Sequence, residues 1–354
     1  MRWIVCPGQP GPRRCAVENK RRSRFPAGKG TTIPGMSPQR PSSELDEIVS
    51  AQRVISGRLH RTPVARSSYL GERSGTRLFF KQEMFQKTGS FKIRGVLNKL
   101  HHLNDDEKRR GVIGMSSGNH AQALAYGAAL YGVSATIVMP ANSVASKVEA
   151  TRNYGGRVHL TGEGLLETCR RIQQQHGLVL VHPFDDPEIV AGAGTTGTEI
   201  IEDIPDVECV FVSVGGGGLI SGVATAVKHK RPEAKVIGVE PQGAPVVSRS
   251  LAAGRLVTLD HIDTIADGLC PPFTGEVVLD RIQRYVDEVV TVSDTEIVEA
   301  MRLILERTKV VAEPSAAASL AALLSGKARV AADAVVVCVL SGGNIDAFRL
   351  KSLL

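Results

Sequence analysis

Short runs of continuously apolar residues recur along the chain and alternate with stretches of helical pattern. The predicted strands are RLFFKQE from about residue 76, GVIGMS at 111–116, ATIVMP at 135–140, ECVFVSV at 208–214, KVIGVE at 235–240 and AVVVCVL at 334–340. Helices are predicted at 121–132 and 219–229. Strands that are apolar throughout indicate parallel sheets covered by helices on both faces. The pattern therefore predicts an α/β protein, and 354 residues fit two open parallel sheets better than one.

The net charge of +7 is concentrated at the start of the chain. Residues 1–40 contain nine Lys and Arg residues and one acidic residue, Glu18, whereas the rest of the chain has 34 basic and 35 acidic residues. Because the folded body is nearly neutral, its charge gives no indication of nucleic-acid binding. No apolar run reaches the length of a membrane span, so no membrane association is predicted.

Residues 1–36 are predicted to form a disordered basic extension, because they are rich in Arg, Pro and Gly and have no amphipathic period. Two alternatives stay open for them. They could be an organelle-targeting peptide, or a segment upstream of a true start at Met36. The sequence that follows, SPQRPSSELDEIVSAQRVI, predicts an N-capped first helix.

The six cysteines are scattered through the chain, and the spacing of the nine histidines matches no zinc motif such as H-E-x-x-H. None of the cysteines forms a C-x-x-C pair. We therefore predict neither disulfides nor a zinc site. Free thiols are typical of a reducing compartment, and the predicted location is the cytoplasm.

One lysine stands in an unusual setting, in the stretch FQKTGSFKIRG at 85–95. Lys92 lies there between Phe91 and Ile93. A single lysine beside apolar residues is ordinarily a surface residue. If Phe91 and Ile93 exclude water from the amine, however, they favour its neutral, nucleophilic form.

Three predicted strands are followed by unusual loops, and open parallel sheets bind ligands at these carboxyl ends. The loop GGGG at 215–218 allows backbone N–H groups to surround one phosphate at a helix N-terminus, although a tight packing turn is the alternative. Its spacing matches neither G-x-G-x-x-G nor a P-loop. A second loop contains Ser117, Asn119 and His120, and a third begins at Ser341.

A common ligand for these features would carry one phosphate, an aldehyde that reacts with an amine, and a flat ring. Pyridoxal 5′-phosphate has all three groups. Lys92 would bind it as a Schiff base, the glycine loop would hold its phosphate, and the polar loops would contact the edges of its ring.

From about residue 40 onward the chain resembles the fold-type II pyridoxal-phosphate enzymes (tryptophan synthase β-like), most of all their threonine/serine dehydratase and serine racemase branch. The motifs that carry the resemblance are GSFKIRG, SSGNHAQA, HPFDDPEIVAGAGT, GGGGL, AEPSAAAS and LSGGN. The cofactor-binding residues that it implies are Phe91, Lys92, Asn119, Gly215, Gly216, Gly217, Gly218, Leu219, Glu313 and Ser341. Around the substrate carboxylate it implies Ser116, Ser117 and His120.

The resemblance also implies the organisation of the protein. It places a large cofactor-binding domain at residues 37–110 and 189–354, a small domain at 111–188, and two copies of the chain in a homodimer. The chain ends ten residues after Asn344, so it resembles the short catabolic dehydratases, which have no regulatory domain.

The activity that the resemblance implies is a β-elimination on a small 3-hydroxy amino acid. Lys92 would remove the Cα proton, and the 3-hydroxyl of L-threonine or L-serine would leave, giving a 2-keto acid and ammonia. A neutral Ser341 at the pyridine nitrogen favours elimination over transamination. Ser117 is the candidate second acid–base group. The alternatives are a serine racemase, a threo-3-hydroxyaspartate dehydratase and a catalytically silent protein that binds the cofactor or an amino acid.

Two segments depart from the racemase pattern. Glu240 and Ala244 match residues of metal-dependent racemases, but Val246 stands where those enzymes have an aspartate. A divalent cation near Glu240 is therefore left open, and no metal site is predicted. The segment TIADGLCPP has CPP at 270–272, where racemases have small polar residues, which disfavours racemisation as the main activity.

Overall fold

The computed structural model describes residues 43–354, so the predicted extension at 1–36 and the predicted start of the large domain lie outside the described residues. The first helix begins where the sequence predicts it, because the Ser43 side chain accepts a hydrogen bond from the backbone N–H of Asp46. The helices of residues 43–354 are α1 (Glu44–Ile55), α2 (Ser68–Ser74), α3 (Lys92–His101), α4 (Asp105–Arg110), α5 (Asn119–Tyr131), α6 (Ala145–Asn153), α7 (Leu165–His176), α8 (Pro187–Asp203), α9 (Gly218–Lys230), α10 (Val246–Ala253), α11 (Glu276–Tyr285), α12 (Asp294–Thr308), α13 (Pro314–Leu324) and α14 (Ala347–Leu353).

Ten strands of the described residues form two separate sheets. In order across the larger sheet they are β1 (Val64–Arg66), β2 (Arg77–Gln82), β10 (Val335–Leu340), β7 (Cys209–Ser213), β8 (Lys235–Pro241) and β9 (Glu288–Val292). The smaller sheet has the order β5 (Arg157–Thr161), β4 (Ala135–Pro140), β3 (Val112–Met115) and β6 (Val179–Leu180). The predicted α/β class with two parallel-sheet domains is confirmed.

One strand differs from the prediction of purely parallel sheets. The edge strand β1 pairs antiparallel with β2, whereas the other pairs are parallel. This strand has only three residues, and none of them is fully buried. Because it gives no continuous apolar run, the hydrophobic pattern contains no signal for it.

Both faces of the six-stranded sheet are buried at its centre, which explains why its central strand β10 is apolar at every position. Alternate residues of β10 belong to different cores: Val336 and Cys338 pack on the face covered by α12 and α13, and Val337 and Val339 pack on the face covered by α9. Burial of this kind contributes roughly 1.5–3 kcal/mol per large apolar side chain. The strand ends are thereby held in fixed positions.

The backbone of helix α8 packs directly against the backbones of α3 and α9. Glycines at the contacts make these short distances possible, because they have no Cβ atom. A Cβ atom at Gly192 would lie 2.5 Å from the carbonyl oxygen of Arg94, and one at Gly222 would lie 2.4 Å from that of Val190. These contacts fix the position of α3, which begins at Lys92.

The strands of the smaller sheet all lie between residues 112 and 180. The predicted domain boundaries, 37–110 with 189–354 and 111–188, remain a proposal about how the chain divides. Within the described residues, no helix is both long and apolar enough to cross a lipid bilayer.

Candidate active site

A cavity of about 950 Å³ opens at the carboxyl ends of β3, β7 and β10. Every cofactor-binding and substrate-binding residue predicted above contributes to its lining. These residues are Phe91, Lys92, Ser116, Ser117, Asn119, His120, Gly215, Gly216, Gly217, Gly218, Leu219, Glu313 and Ser341. Motifs that are more than 200 residues apart in the chain therefore meet in one place. The roles of the individual residues are proposals, which their geometry supports as follows.

Lys92 is the first residue of α3, and its amine faces the cavity. Its Nζ atom donates a hydrogen bond to the carbonyl oxygen of Pro183 at 2.7 Å and lies 5.1 Å from the centre of the Phe91 ring. Removal of water from the amine lowers the pKa of Lys92 from 10.5 to about 8, although the carboxyl of Glu313 opposes the shift. Lys92 is thus a lysine that gives up its proton near neutral pH.

The explanation of this lowered pKa needs one correction. The sequence assigns the exclusion of water to both Phe91 and Ile93. Phe91 does line the cavity, but Ile93 points away from it and packs in the hydrophobic core with Val96 and Leu124. Consecutive residues of a helix lie about 100° apart, so Lys92 and Ile93 cannot face the same side.

The glycine loop at 215–218 has no room for side chains. A Cβ atom at Gly216 would lie 2.4 Å from the Phe184 ring, and Gly217 has φ +98°, which favours glycine. Gly217 is also the N-cap of α9, so the first N–H groups of that helix have no intrahelical acceptor. The loop therefore presents bare backbone donors to the cavity.

Ser213, the last residue of β7 and two residues before Gly215, is a second sign that this cavity binds a polar ligand. It lines the cavity, and its buried hydroxyl has no hydrogen-bond partner among residues 43–354. Unpaired buried polar atoms are rare in folded proteins, and a ligand with acceptor oxygens would satisfy this one. The residues present thus fit a cofactor that carries one phosphate.

Asn119 is held by residues from two other parts of the chain. Its Nδ2 donates to Glu313 Oε1 at 2.7 Å, and its Oδ1 accepts from Asn344 Nδ2 at 2.8 Å. Asn344 also donates to the carbonyl oxygen of Thr88 at 2.8 Å. Asn344 stands in LSGGN three residues after Ser341, and its sequence context predicts no role for it. Asn344 fixes the orientation of the Asn119 amide.

Glu313 is a buried carboxyl group at the edge of the same cavity. Burial raises its pKa to about 7, while the Lys147 ammonium and the hydrogen bond from Asn119 oppose the shift. Near neutral pH the group can therefore hold or release a proton.

The loop after β3 provides neutral polar groups. Ser116 Oγ accepts from the backbone N–H of Gly118 at 3.0 Å, and Ser117 is exposed to the cavity. His120 is buried, and its Nε2 donates to the carbonyl oxygen of Val181 at 2.9 Å. Burial lowers the pKa of His120 to about 3, so the ring is neutral. Its Nδ1 finds no partner in the described part of the chain and can accept a hydrogen bond.

Ser341 directly follows β10 and joins this strand to the start of α3. Its carbonyl oxygen accepts from the backbone N–H of Phe91 at 3.1 Å, so Ser341 and Lys92 are held in fixed relation. His182, two residues after the end of β6 in the smaller sheet, accepts a hydrogen bond from the N–H of Asp185 through Nδ1 at 2.8 Å. Burial lowers the pKa of His182 to about 4.

One wall of the cavity consists of apolar and weakly polar groups at 269–273 together with Phe184. Cys270 belongs to this wall, and burial raises the pKa of its thiol to about 12. The thiol donates to the carbonyl oxygen of Ala266 at 3.3 Å, and it stays protonated at neutral pH. This wall therefore contributes no charge to the cavity.

Glu240 lies outside this cavity. It is fully buried, and its carboxylate accepts hydrogen bonds from the N–H of Val247, the N–H of Ser248 and the Ser248 hydroxyl at 2.7, 2.8 and 2.6 Å. These contacts stabilise the N-terminus of α10. Among residues 43–354, no group of three or more His, Cys, Asp or Glu side chains is placed to hold a metal ion.

A protein that binds a phosphorylated aldehyde covalently needs an amine of lowered pKa for the aldehyde and a cluster of N–H donors for the phosphate. Lys92 and the glycine loop at 215–218 provide both in one cavity. The class of protein thus defined is an enzyme that works with pyridoxal phosphate. In agreement, the family model "Pyridoxal-phosphate dependent enzyme" matches residues 55–342. The chain belongs to this family, as its motifs predict.

Two curated proteins and one solved structure are similar to this chain over most of its length. The L-threonine ammonia-lyase of Thermotoga maritima is 47% identical over 305 residues, which cover 85% of this chain and 76% of the relative. The L-threonine dehydratase catabolic TdcB of Escherichia coli K12 is 40% identical over 313 residues, covering 87% and 95%. The solved structure of maize serine racemase has a TM-score of 0.83 at 41% identity, covering 87% of this chain and 95% of its own.

Proposed function

We propose that this protein is an ammonia-lyase that removes the 3-hydroxyl of L-threonine or L-serine and releases a 2-keto acid and ammonia. The observation that carries the proposal is the amine of Lys92, with its pKa of about 8, in one cavity with the glycine loop and the loop after β3. The names of the relatives from Thermotoga maritima and Escherichia coli support this substrate class.

Each part of the cavity has a proposed task. The N–H groups of residues 215–219 would hold the phosphate of the cofactor, and Asn119 and Ser341 would form hydrogen bonds with polar atoms of its ring. When bound, pyridoxal phosphate supplies an electron sink for the electron pair left at Cα. Ser116, Ser117 and the neutral His120 orient the substrate carboxylate.

Lys92 acts as the general base. Its Nζ atom takes the proton from Cα of the substrate, and at pH 7–8 a substantial fraction of an amine with a pKa of about 8 is able to do so. Proximity to Phe91 and Pro183 keeps the amine in a fixed orientation.

The experiment that tests this function is a parallel measurement of 2-keto acid release from L-threonine, L-serine, D-serine and threo-3-hydroxyaspartate by the purified protein with pyridoxal phosphate. We expect product from L-threonine or L-serine at the highest kcat/KM. Turnover of hydroxyaspartate alone would show that the proposed substrate is wrong and the proposed reaction is right. Interconversion of L- and D-serine as the main activity would contradict the proposed reaction. A protein that binds the cofactor but turns over none of these compounds would be a binding protein and not an enzyme for them.

The pH dependence of cofactor binding tests the state of Lys92. Only the neutral amine attacks the aldehyde, so the rate of covalent cofactor binding is expected to rise with pH and reach half its maximum near pH 8. Stopped-flow absorbance of the cofactor-free protein mixed with pyridoxal phosphate measures this rate. A rate that continues to rise to pH 10 and above would show an amine of ordinary pKa and contradict the assignment.

Three further features belong to the proposal. We propose that the active form is a homodimer in the cytoplasm, which sedimentation and localisation of the tagged protein can test. The third feature is a divalent cation near Glu240. If one binds there, it must compete with the three hydrogen bonds from Val247 and Ser248, and a chelator should then lower the melting temperature of the protein.

A further inference from the structure

Lys147 is a cation at the rim of the cavity for which the steps above give no task. It lies on α6, beside the smaller sheet, and its side chain is 15% exposed. Its Nζ atom lies 3.4 Å from Oδ2 of Asp267, which belongs to the other side of the cavity. Both residues line the cavity.

The Lys147 side chain extends over the loop that holds Ser116, Ser117 and His120. A Cβ atom at Gly118 would lie 3.0 Å from Lys147 Cδ and 3.5 Å from its Nζ. The ammonium also influences Glu313, because it is the first among the groups that lower the pKa of that carboxyl. Lys147 therefore lies between the loop and the interior of the cavity.

An amino-acid substrate brings a carboxylate to this loop, and the loop itself offers only neutral groups. The hydroxyls of Ser116 and Ser117 carry no charge, and the low pKa of His120 keeps its ring neutral. The N-terminus of α5 contributes only a partial positive charge. A full opposite charge nearby stabilises a carboxylate that leaves water, and Lys147 is a cation that lines the cavity beside this loop.

The ion pair with Asp267 does not prevent Lys147 from binding a substrate carboxylate. The Asp267 side chain is 52% exposed, and ion pairs that face water contribute roughly 0–1 kcal/mol. A substrate carboxylate can therefore replace Asp267 at small cost. Asp267 is itself well positioned, because the N–H of the next residue, Gly268, donates to Ser315 Oγ at 2.9 Å.

We propose that Lys147 binds the α-carboxylate of the amino-acid substrate beside the loop at 116–120, and that Asp267 holds the ammonium there until the carboxylate arrives. This inference rests on the proposed function, since it concerns an amino-acid substrate in the same cavity. It makes Lys147 a substrate-binding residue that does not contact the leaving group.

Binding of glycine to the cofactor-loaded protein provides a test that does not depend on turnover, because glycine has the carboxylate and no 3-substituent to lose. We compare the wild type with Lys147→Met, Lys147→Arg, Asp267→Asn and Arg170→Met, by the change in cofactor absorbance on titration with glycine or glycinamide. Arg170 is the matched control, since it is another cation that lines the cavity.

Lys147→Met is expected to weaken glycine binding about 10- to 100-fold, the range for one charged hydrogen bond, and to leave glycinamide binding within about twofold. Lys147→Arg should restore most of the loss. Arg170→Met should stay within about twofold of wild type. Asp267→Asn should bind glycine as well as wild type or better, because it frees the ammonium.

Two results would overturn the inference. One is a Lys147→Met protein that binds glycine within about twofold of wild type. The other is an equal loss in Lys147→Met and Asp267→Asn, because a purely structural link between α6 and residues 267–269 would make the two variants alike. In a wild type that turns over L-threonine, Lys147→Met should raise KM and change kcat by less than about threefold. A wild type without turnover that still needs Lys147 for glycine would refute the proposed function alone.

Discussion

Replacement of Lys92 with alanine is expected to lower release of 2-keto acid from L-threonine or L-serine by at least about 1,000-fold. The variant loses both the amine that attaches the cofactor and the base that removes the Cα proton, and general-base catalysis alone contributes roughly 10²–10⁴ in rate. The measurement is the initial rate of 2-keto acid formation at saturating pyridoxal phosphate. The absorbance of covalently bound cofactor should disappear together with the activity.

The control for this variant is Lys87→Ala, five residues earlier in the same segment. Lys87 is exposed and does not line the cavity, so its removal should change the rate by less than about twofold. Retention of a tenth or more of the wild-type rate by Lys92→Ala would contradict the assignment of Lys92 as base. Circular dichroism of both variants shows whether the fold is kept.

Replacement of Arg94 with methionine is expected to destabilise the protein by about 3–5 kcal/mol, because it leaves unpaired carboxylates in the interior. Arg94 is fully buried two residues after Lys92 and donates to both carboxylate oxygens of Glu83 and of Glu199, at 2.7–2.9 Å. Lys81 Nζ, also fully buried, lies 2.6 Å from Glu199 Oε2 and 3.6 Å from Asp203 Oδ2, and it extends the group with a second cation. Calorimetry should show a melting temperature lower by about 5–15 °C.

Two comparisons isolate the buried charge as the cause. Arg302→Met removes an exposed arginine that pairs with Glu299 on α12, and it should cost less than about 1 kcal/mol. Adding Glu83→Gln to Arg94→Met should restore part of the stability, since it removes one of the unpaired carboxylates. Equal melting temperatures for Arg94→Met and Arg302→Met would show that the buried group contributes no more than a surface pair.

The strands and the cavity could be predicted from the sequence because their signals are local. Six of the ten strands are nearly continuous apolar runs, and the loops that begin at Ser116, Gly215 and Ser341 each follow one of these strands, so the folded chain brings the loops to one cavity. The predicted strand ATIVMP and the observed β4 have the same bounds, 135–140, and the other five predicted strands match β2, β3, β7, β8 and β10 to within about two residues. The strands β1, β5, β6 and β9 are short or partly exposed, and the apolar pattern does not predict them.

The contacts of the site that were not predicted join residues that are far apart in the sequence. Arg94 stands in a recognisable motif, but its partner Glu199 lies 105 residues later, in a helix whose position only the folded chain fixes. The same holds for Asn344, which meets Asn119 across 225 residues. That Ile93 points away from the cavity and into the core follows from the exact start of α3, and element boundaries are the least certain part of a pattern.

The strand order has a consequence for biosynthesis. β10, made of residues 335–340, lies between β2 and β7, so the six-stranded sheet stays split into two parts until these residues have left the ribosome. Until then β2 and β7 each expose an edge that can pair with other chains. Ser341, which follows β10, cannot reach Phe91 before the strand inserts. The cavity is therefore incomplete until β10 has inserted, and nascent chains that stall before residue 335 should be substrates for chaperones.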